Sequence, residues 1–199
     1  VTVERIPVSD EHVMVVDGHL GGYVETGDKD CIYPELWAWI AEDAKERRNT
    51  RLLDVGCGDG VAVDAFSSLG LYSEGVDGMP FDRIRIYQHD FTHGPFRCDT
   101  YGTIWCCEFL EHIEEQYLPN VMRTMCQAHT VAVTHAVPGQ AGWHHVNLQP
   151  DSYWIGAFAA AGFRFDEENT ENARRLAALN GRATNYFRDT GLIFRRNHA

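Results

Sequence analysis

The sequence predicts an α/β fold built on a mainly parallel sheet of about seven strands, and three observations predict it. Short β-branched or apolar runs alternate with stretches of helical periodicity along most of the chain. The run Leu52-Leu53-Asp54-Val55 passes into Gly56-Cys57-Gly58-Asp59-Gly60, a glycine turn where a strand should meet a helix. No internal repeat, low-complexity tract or Pro/Ser-rich linker divides the 199 residues.

Each element has its own local reason. From Tyr33 to Arg48, Leu36, Trp37, Ile40, Ala41 and Ala44 recur at helical spacing, and Pro34 suits the first turn. Arg51 to Val55 reads as the first strand and Val61 to Leu69 as the helix after it. Tyr72 to Val76, Ile84 to His89, Gly102 to Cys107 and Val131 to His135 read as the next four strands, with a helix from Gln116 to Ala128 before the last of these. A helix from Ser152 to Ala161 stops at Gly162, and Phe163-Arg164-Phe165 begins a sixth strand. A helix from Glu171 to Leu179 and a strand from Leu192 to Arg195 complete the series. Residues 1–32 carry Gly18, Gly21, Gly22 and Gly27 and read as a loop-like arm or lid ahead of one domain over residues 33–199.

Composition narrows the function classes. No apolar run is long enough to span a bilayer, and no charged-then-apolar leader opens the chain, so a soluble cytoplasmic protein is expected. The cysteines, Cys31, Cys57, Cys98, Cys106, Cys107 and Cys126, form no CxxC pair and read as reduced thiols rather than a disulfide or zinc framework. A net charge of −12 argues against a duplex-binding protein. Seven of the 17 Lys and Arg residues fall between Arg164 and Arg196, a cluster that reads as a solvated face or as a place for an anionic substrate.

The glycine turn carries the first chemical signal. In open α/β sheets ligands bind beyond the carboxyl ends of the strands. Glycines there let a ligand lie on bare backbone and aim a helix N-terminus at it. A dinucleotide fingerprint, G-x-G-x-x-G/A, would put Val61 at its last position, where a small residue is needed. The pattern is instead Asp54-x-Gly56-x-Gly58-x-Gly60. Asp77 closes Gly75-Val76-Asp77, seventeen residues after Gly60, where a carboxylate can accept from both hydroxyls of a ribose.

This pattern resembles the first motif of the class I S-adenosylmethionine (SAM)-dependent methyltransferases, over roughly Trp37 to Arg195. The resemblance implies a seven-stranded, mostly parallel sheet with helices on both faces and an antiparallel last strand. It implies SAM as cofactor, held by Asp54, Gly56, Gly58, Gly60 and Asp77, with Asp90 of "HDF" at the adenine and Glu108 beside the cofactor. The glycines would pass the methionine half of SAM over bare backbone. NAD is the runner-up cofactor.

The acceptor side is less determinate. In "IWCCEFLEHI", Glu108, Glu111 and His112 stand at i, i+3 and i+4, so a helix already begun there would turn all three to one side. Such a set suits Mg²⁺ or Mn²⁺. The same E-x-x-E-H pattern resembles metal-dependent O-methyltransferases, including the terminal-ribose 2′-O-methyltransferases of small RNAs. In that group a further histidine completes the site, and His145 of "GWHHVN" has the better spacing for it here. "LEH" also occurs in methyltransferases without a metal. There His135, His144 or His145 would serve as base, or proximity alone would suffice. Trp143, Tyr153, Trp154 and Tyr23 are candidate walls. No N/D-P-P-Y/F or Pro-Cys signature of nitrogen or cytosine-C5 acceptors is present.

The sequence therefore leads us to expect methyl transfer from SAM to the hydroxyl of a small-molecule or saccharide acceptor, without nucleic acid or membrane as partner. The alternatives are a metal-dependent RNA terminal-ribose 2′-O-methyltransferase and a non-catalytic SAM-fold binding subunit.

Overall fold

The protein is described from a computed structural model covering residues 2–8, 11–25 and 27–197, with Glu11 described by its backbone alone. The chain opens with an antiparallel meander of β1 (Glu4–Val8), β2 (Glu11–Val15) and β3 (Tyr23–Val24). There follow α1 (Pro34–Glu46), β4 (Arg51–Val55), α2 (Val61–Ser68), β5 (Tyr72–Asp77), β6 (Ile86–Gln88) and β7 (Tyr101–Cys106). The remainder is α3 (Leu118–Met125), β8 (Ala128–Val133), α4 (Asp151–Ala160), β9 (Phe163–Phe165), α5 (Glu167–Ala177), α6 (Tyr186–Thr190) and β10 (Leu192–Arg196).

The large sheet has seven strands in the order β6-β5-β4-β7-β8-β10-β9. Its first five strands pair parallel, and β10 runs antiparallel to both neighbours. Successive residues supply opposite faces, as a sheet buried on both sides requires. Leu52, Trp105, Ala132 and Ile193 pack under α1, α2 and α5, while Leu53, Ile104, Val131 and Phe194 pack under α3 and α4. From β4 the strand order runs outward in both directions. The crevice between the carboxyl ends of β4 and β7 is thus the topological switch point, where such sheets bind ligands.

The sequence expectations need four adjustments. The segment read as loop-like contains the β1–β3 meander, in which Val13 and Val15 are buried; its strands are short, and the glycines dominate the local pattern. The helix expected from Gln116 begins at Leu118, with Pro119 in its first turn, after a 3-10 turn at Glu115–Tyr117. The helix expected from Glu171 begins at Glu167, because the Asp166 carboxylate caps it. The five-residue α6, capped by the Asn185 side chain, carries too little periodicity to stand out. Among the described residues no helix is long and apolar enough to cross a membrane.

Candidate active site

The backbone leaves β4 at Val55 and reaches α2 through the glycine turn. Gly56 (φ 77°) and Gly58 (φ 51°) adopt left-handed conformations. A Cβ on Gly56 would lie 2.7 Å from Phe109, and one on Gly58 would lie 2.9 Å from the Tyr23 ring. Part of what comes close to this backbone is therefore the chain's own arm and the turn after β7, contacts that only the folded chain reveals.

Asp77, at the end of β5, ties the turn together. Its Oδ2 accepts from the Gly58 amide and its Oδ1 from the Met79 amide, both at 2.8 Å. Each oxygen keeps a lone pair for a further donor. Burial raises the Asp77 carboxyl above its ordinary range despite those amides. Asp54, 3% exposed, is pushed well up by burial and then by the charge of Asp77. Both line a chamber of about 470 Å³ together with Gly56, Gly58, Asp59 and Glu108. Asp90 is placed elsewhere: it accepts from the Thr92 amide at 2.8 Å, pairs with His19 of the arm at 3.0 Å, and lines a small neighbouring cleft.

The arm roofs the chamber. Leu20 to Val24 line it opposite the glycine turn. Leu20 packs on Gly78, Gly21 on the His112 ring and Tyr23 edge-on against Phe81, at 5.2 Å between ring centroids.

At the end of β7 no helix has begun. Glu108 has a left-handed φ of 51°, and Leu110–His112 form a 3-10 turn, so the helical alignment expected of Glu108, Glu111 and His112 does not form. The turn nevertheless gathers a cluster. One ligand atom each of Glu111, His112 and His145 lie within 4.8 Å of one another. His145 arrives because the amides of Val146 and Asn147 both donate to the Glu111 carbonyl, at 2.9 and 3.0 Å. The His112 and His145 rings stand edge to face at 5.1 Å. Glu108 lies outside this triad. Its amide donates to Thr134 Oγ1 and its Oε1 accepts from that hydroxyl, at 2.7 and 2.8 Å.

Glu111 is fully buried. Apart from the Glu108 carboxyl, with which it can share a single proton, neither of its oxygens has a partner. Burial, then the charge of Glu108, pushes it well above the carboxylate range, and burial raises Glu108 to about 7. Burial, then its histidine neighbours, lowers His112 to about 4, leaving a neutral imidazole with an unpartnered Nδ1. A buried carboxylate without a donor requires a proton or a cation, and neutral imidazole is the form that binds metals. The donor set thus fits a divalent ion.

The other expected histidines are placed apart. His135 is fully buried, meets the Asp151 carboxylate at 3.1 Å and does not line the chamber. His144 has a left-handed φ of 51° and turns out of the lining. Of the candidate walls, Trp143 and Tyr23 line the chamber. Trp154 is core, and the Tyr153 hydroxyl donates to Glu115 at 2.8 Å. Asp28, Gln140 and Tyr186 line the chamber without having been singled out from sequence. They come from the arm, the loop after β8 and α6, and share no motif. Asn147, 2% exposed and in contact with Glu111 through its amide, was likewise not singled out from sequence.

The profile of a methyltransferase domain family matches residues 34–168. Among curated protein sequences none matches. In three dimensions the chain is similar to the sugar N-methyltransferase KedS8 from a Streptoalloteichus species (TM-score 0.60, 14% identity, covering 85% of this chain and 90% of that one). It is similar to magnesium protoporphyrin IX methyltransferase from Synechocystis with bound S-adenosylhomocysteine (SAH) (TM-score 0.54, 12% identity, 82% and 83% covered). It is also similar to the methyltransferase domain of bacterial CtHen1-CN (TM-score 0.51, 14% identity, 82% and 98% covered). Identities this low speak for the fold alone.

Proposed function

Because the chain belongs to the class I SAM-dependent methyltransferases, we propose that it methylates a hydroxyl of a small-molecule or saccharide acceptor held at Glu111, His112 and His145 through Mg²⁺ or Mn²⁺. The observation that carries this reading is the buried Glu111 carboxylate, with no partner but the Glu108 carboxyl, converging with two imidazoles at the mouth of β7. A divalent ion there would lower the pKa of a bound hydroxyl and fix its orientation. Asp77 accepts from the ribose hydroxyls of SAM, Asp54 faces its positive charge, and Gly56, Gly58 and Gly60 carry the methionine half. Glu108, on the chamber wall, takes up the acceptor's proton. All six thiols are free, which suits the reducing cytoplasm.

The experiment that tests this reading is titration of Mn²⁺ into the SAH complex. Stoichiometric binding that disappears in Glu111→Ala is the expected result.

We assign the N-terminal arm, through residue 32, the role of a lid. Its Tyr23 ring lies against Gly58 and holds the roof on the glycine turn. Tyr23→Ala is expected to weaken SAH binding about tenfold, or ~1.4 kcal/mol, mainly through faster dissociation. Stopped-flow release of SAH measures this, and an unchanged off-rate would remove the lid assignment.

A further inference from the structure

His145 joins the Glu111 cluster from the long loop between β8 and α4, whereas Glu111 and His112 come from the 3-10 turn after β7. A histidine on a loop can rotate its ring and can carry the single proton of its neutral form on either nitrogen. Only a nitrogen without a proton binds a metal. Two features of the loop fix both the ring and the proton.

The first is a turn. Val137-Pro138-Gly139-Gln140 has proline second and glycine third, and Gly139 has a φ of 90°, as a type II β-turn requires. The Gln140 amide donates to the Val137 carbonyl at 3.0 Å, and the Val137 amide donates to Gln140 Oε1 at 3.2 Å. Gln140 thus closes the turn with its backbone and again with its side chain. Its carbonyl is left 3.3 Å from Nδ1 of His145. A carbonyl only accepts, so Nδ1 carries the proton and Nε2 keeps its lone pair. Burial lowers the pKa of His145, which keeps the ring neutral with that one proton.

The second feature is Gly142. A Cβ there would lie 2.1 Å from Nε2, 2.2 Å from Cε1 and 2.5 Å from Cδ2 of His145. Such similar distances to three neighbouring ring atoms place that point over the face of the imidazole, not in its plane. The ring therefore lies against bare backbone, and Gly142 leaves the in-plane lone pair of Nε2 uncovered. A methyl group at Gly142 would lift or turn the ring.

Resting on the metal reading, we propose that Gln140 and Gly142 are positioning residues for the ion, holding His145 as its Nδ1–H tautomer with Nε2 as the ligand atom. An unrestrained histidine in water favours the opposite, Nε2–H form, so the loop imposes the one that coordination through Nε2 needs. A ligand oriented in advance loses less freedom when the ion arrives. Partners of this kind, one bond removed from a metal, contribute about 10- to 100-fold in affinity.

NMR correlation of ring protons with ring nitrogens reads the tautomer in the metal-free full chain near pH 8, above the usual histidine range. The His145 signals are identified by their loss in His145→Gln. A single Nδ1–H form is expected, and an Nε2–H form or an even mixture overturns the proposal. Mn²⁺ is then titrated calorimetrically into the SAH complexes of the parent and of Gly142→Ala. Affinity for Mn²⁺ is expected to fall about tenfold in the variant, and affinity within about threefold of the parent overturns the role of Gly142. SAH binding in the same samples reports that the variant is folded. Gln140→Ala removes the acceptor of the Val137 amide, and Gln140→Glu keeps one. The Nε2–H form is expected to appear in the first alone, and its absence from both overturns the role of Gln140. A parent that binds SAH and takes up no Mn²⁺ overturns the metal reading and the proposal with it. Failure of the tautomer or of the variants, with Mn²⁺ still bound by the parent, overturns the proposal alone.

Discussion

Replacing Arg195 with alanine is expected to destabilise the fold by about 3–5 kcal/mol, the usual consequence of stranding the partners of a buried ion pair. Arg195 is 4% exposed on β10. Its Nη1 and Nη2 grip Asp43 of α1 at 2.7 and 3.0 Å, and its Nε donates to Asp166, the cap of α5, at 3.1 Å. It also donates to the Thr130 hydroxyl across the β8–β10 pair. One guanidinium thus fastens two helices to the sheet. Burial alone would raise both aspartates. Hydrogen bonds from Arg195, with Arg47 at Asp43 and Asn169 at Asp166, reverse that and hold both below their ordinary values. A carboxyl whose folded pKa is depressed contributes stability above its unfolded pKa, near 4, and loses it as pH falls through the folded value. In the variant, burial acts on two carboxylates left with only Arg47 at Asp43 and Asn169 at Asp166. Its deficit should be largest at neutral pH and shrink as they protonate on acidification. Denaturant titrations at pH 7 and pH 4 measure this, and a deficit below about 1 kcal/mol, independent of pH, would contradict it.

Asp77→Ala is expected to weaken SAH binding by about 100-fold, because two hydrogen bonds from a ribose diol to a carboxylate contribute roughly 3 kcal/mol between them. The same change frees the amides of Gly58 and Met79, which now converge on the carboxylate and shape the glycine turn. Loss of that preorganisation acts in the same direction. Asp77 is a crevice residue at a strand end, so the secondary structure should survive, and circular dichroism checks that it does. A calorimetric Kd within about threefold of the parent would place the ribose elsewhere.

How much of this was legible in the sequence depends on how local the cause is. Leu52-Leu53 and Ile104-Trp105 alternate between two buried faces, so strands and their neighbours could be read from a few residues each. The glycine turn and Asp77 lie at the ends of adjacent strands, and their meeting follows from topology once the parallel sheet is recognised. The gathering of Glu111 with His112 is equally local. Which of two adjacent histidines joins them is not, because it depends on the left-handed turn at His144 and on backbone bonds to the Glu111 carbonyl. Asp90 meets His19 from 71 residues away, and Asp28 and Tyr186 come from opposite ends of the chain. No spacing rule reaches those pairs. The arm hid its strands because they are short and interrupted by glycines, although Val13 and Val15 are buried in the folded chain.

The most direct measurement is calorimetric titration of Mn²⁺, and of Mg²⁺, into protein saturated with SAH, alongside Glu111→Ala. Saturation with SAH establishes the cofactor. The account predicts one metal per chain, abolished in the variant while SAH still binds. Saturable SAH binding with no metal uptake by the parent protein, or metal uptake unchanged in Glu111→Ala, would contradict it and leave Glu111 as a buried, protonated carboxyl.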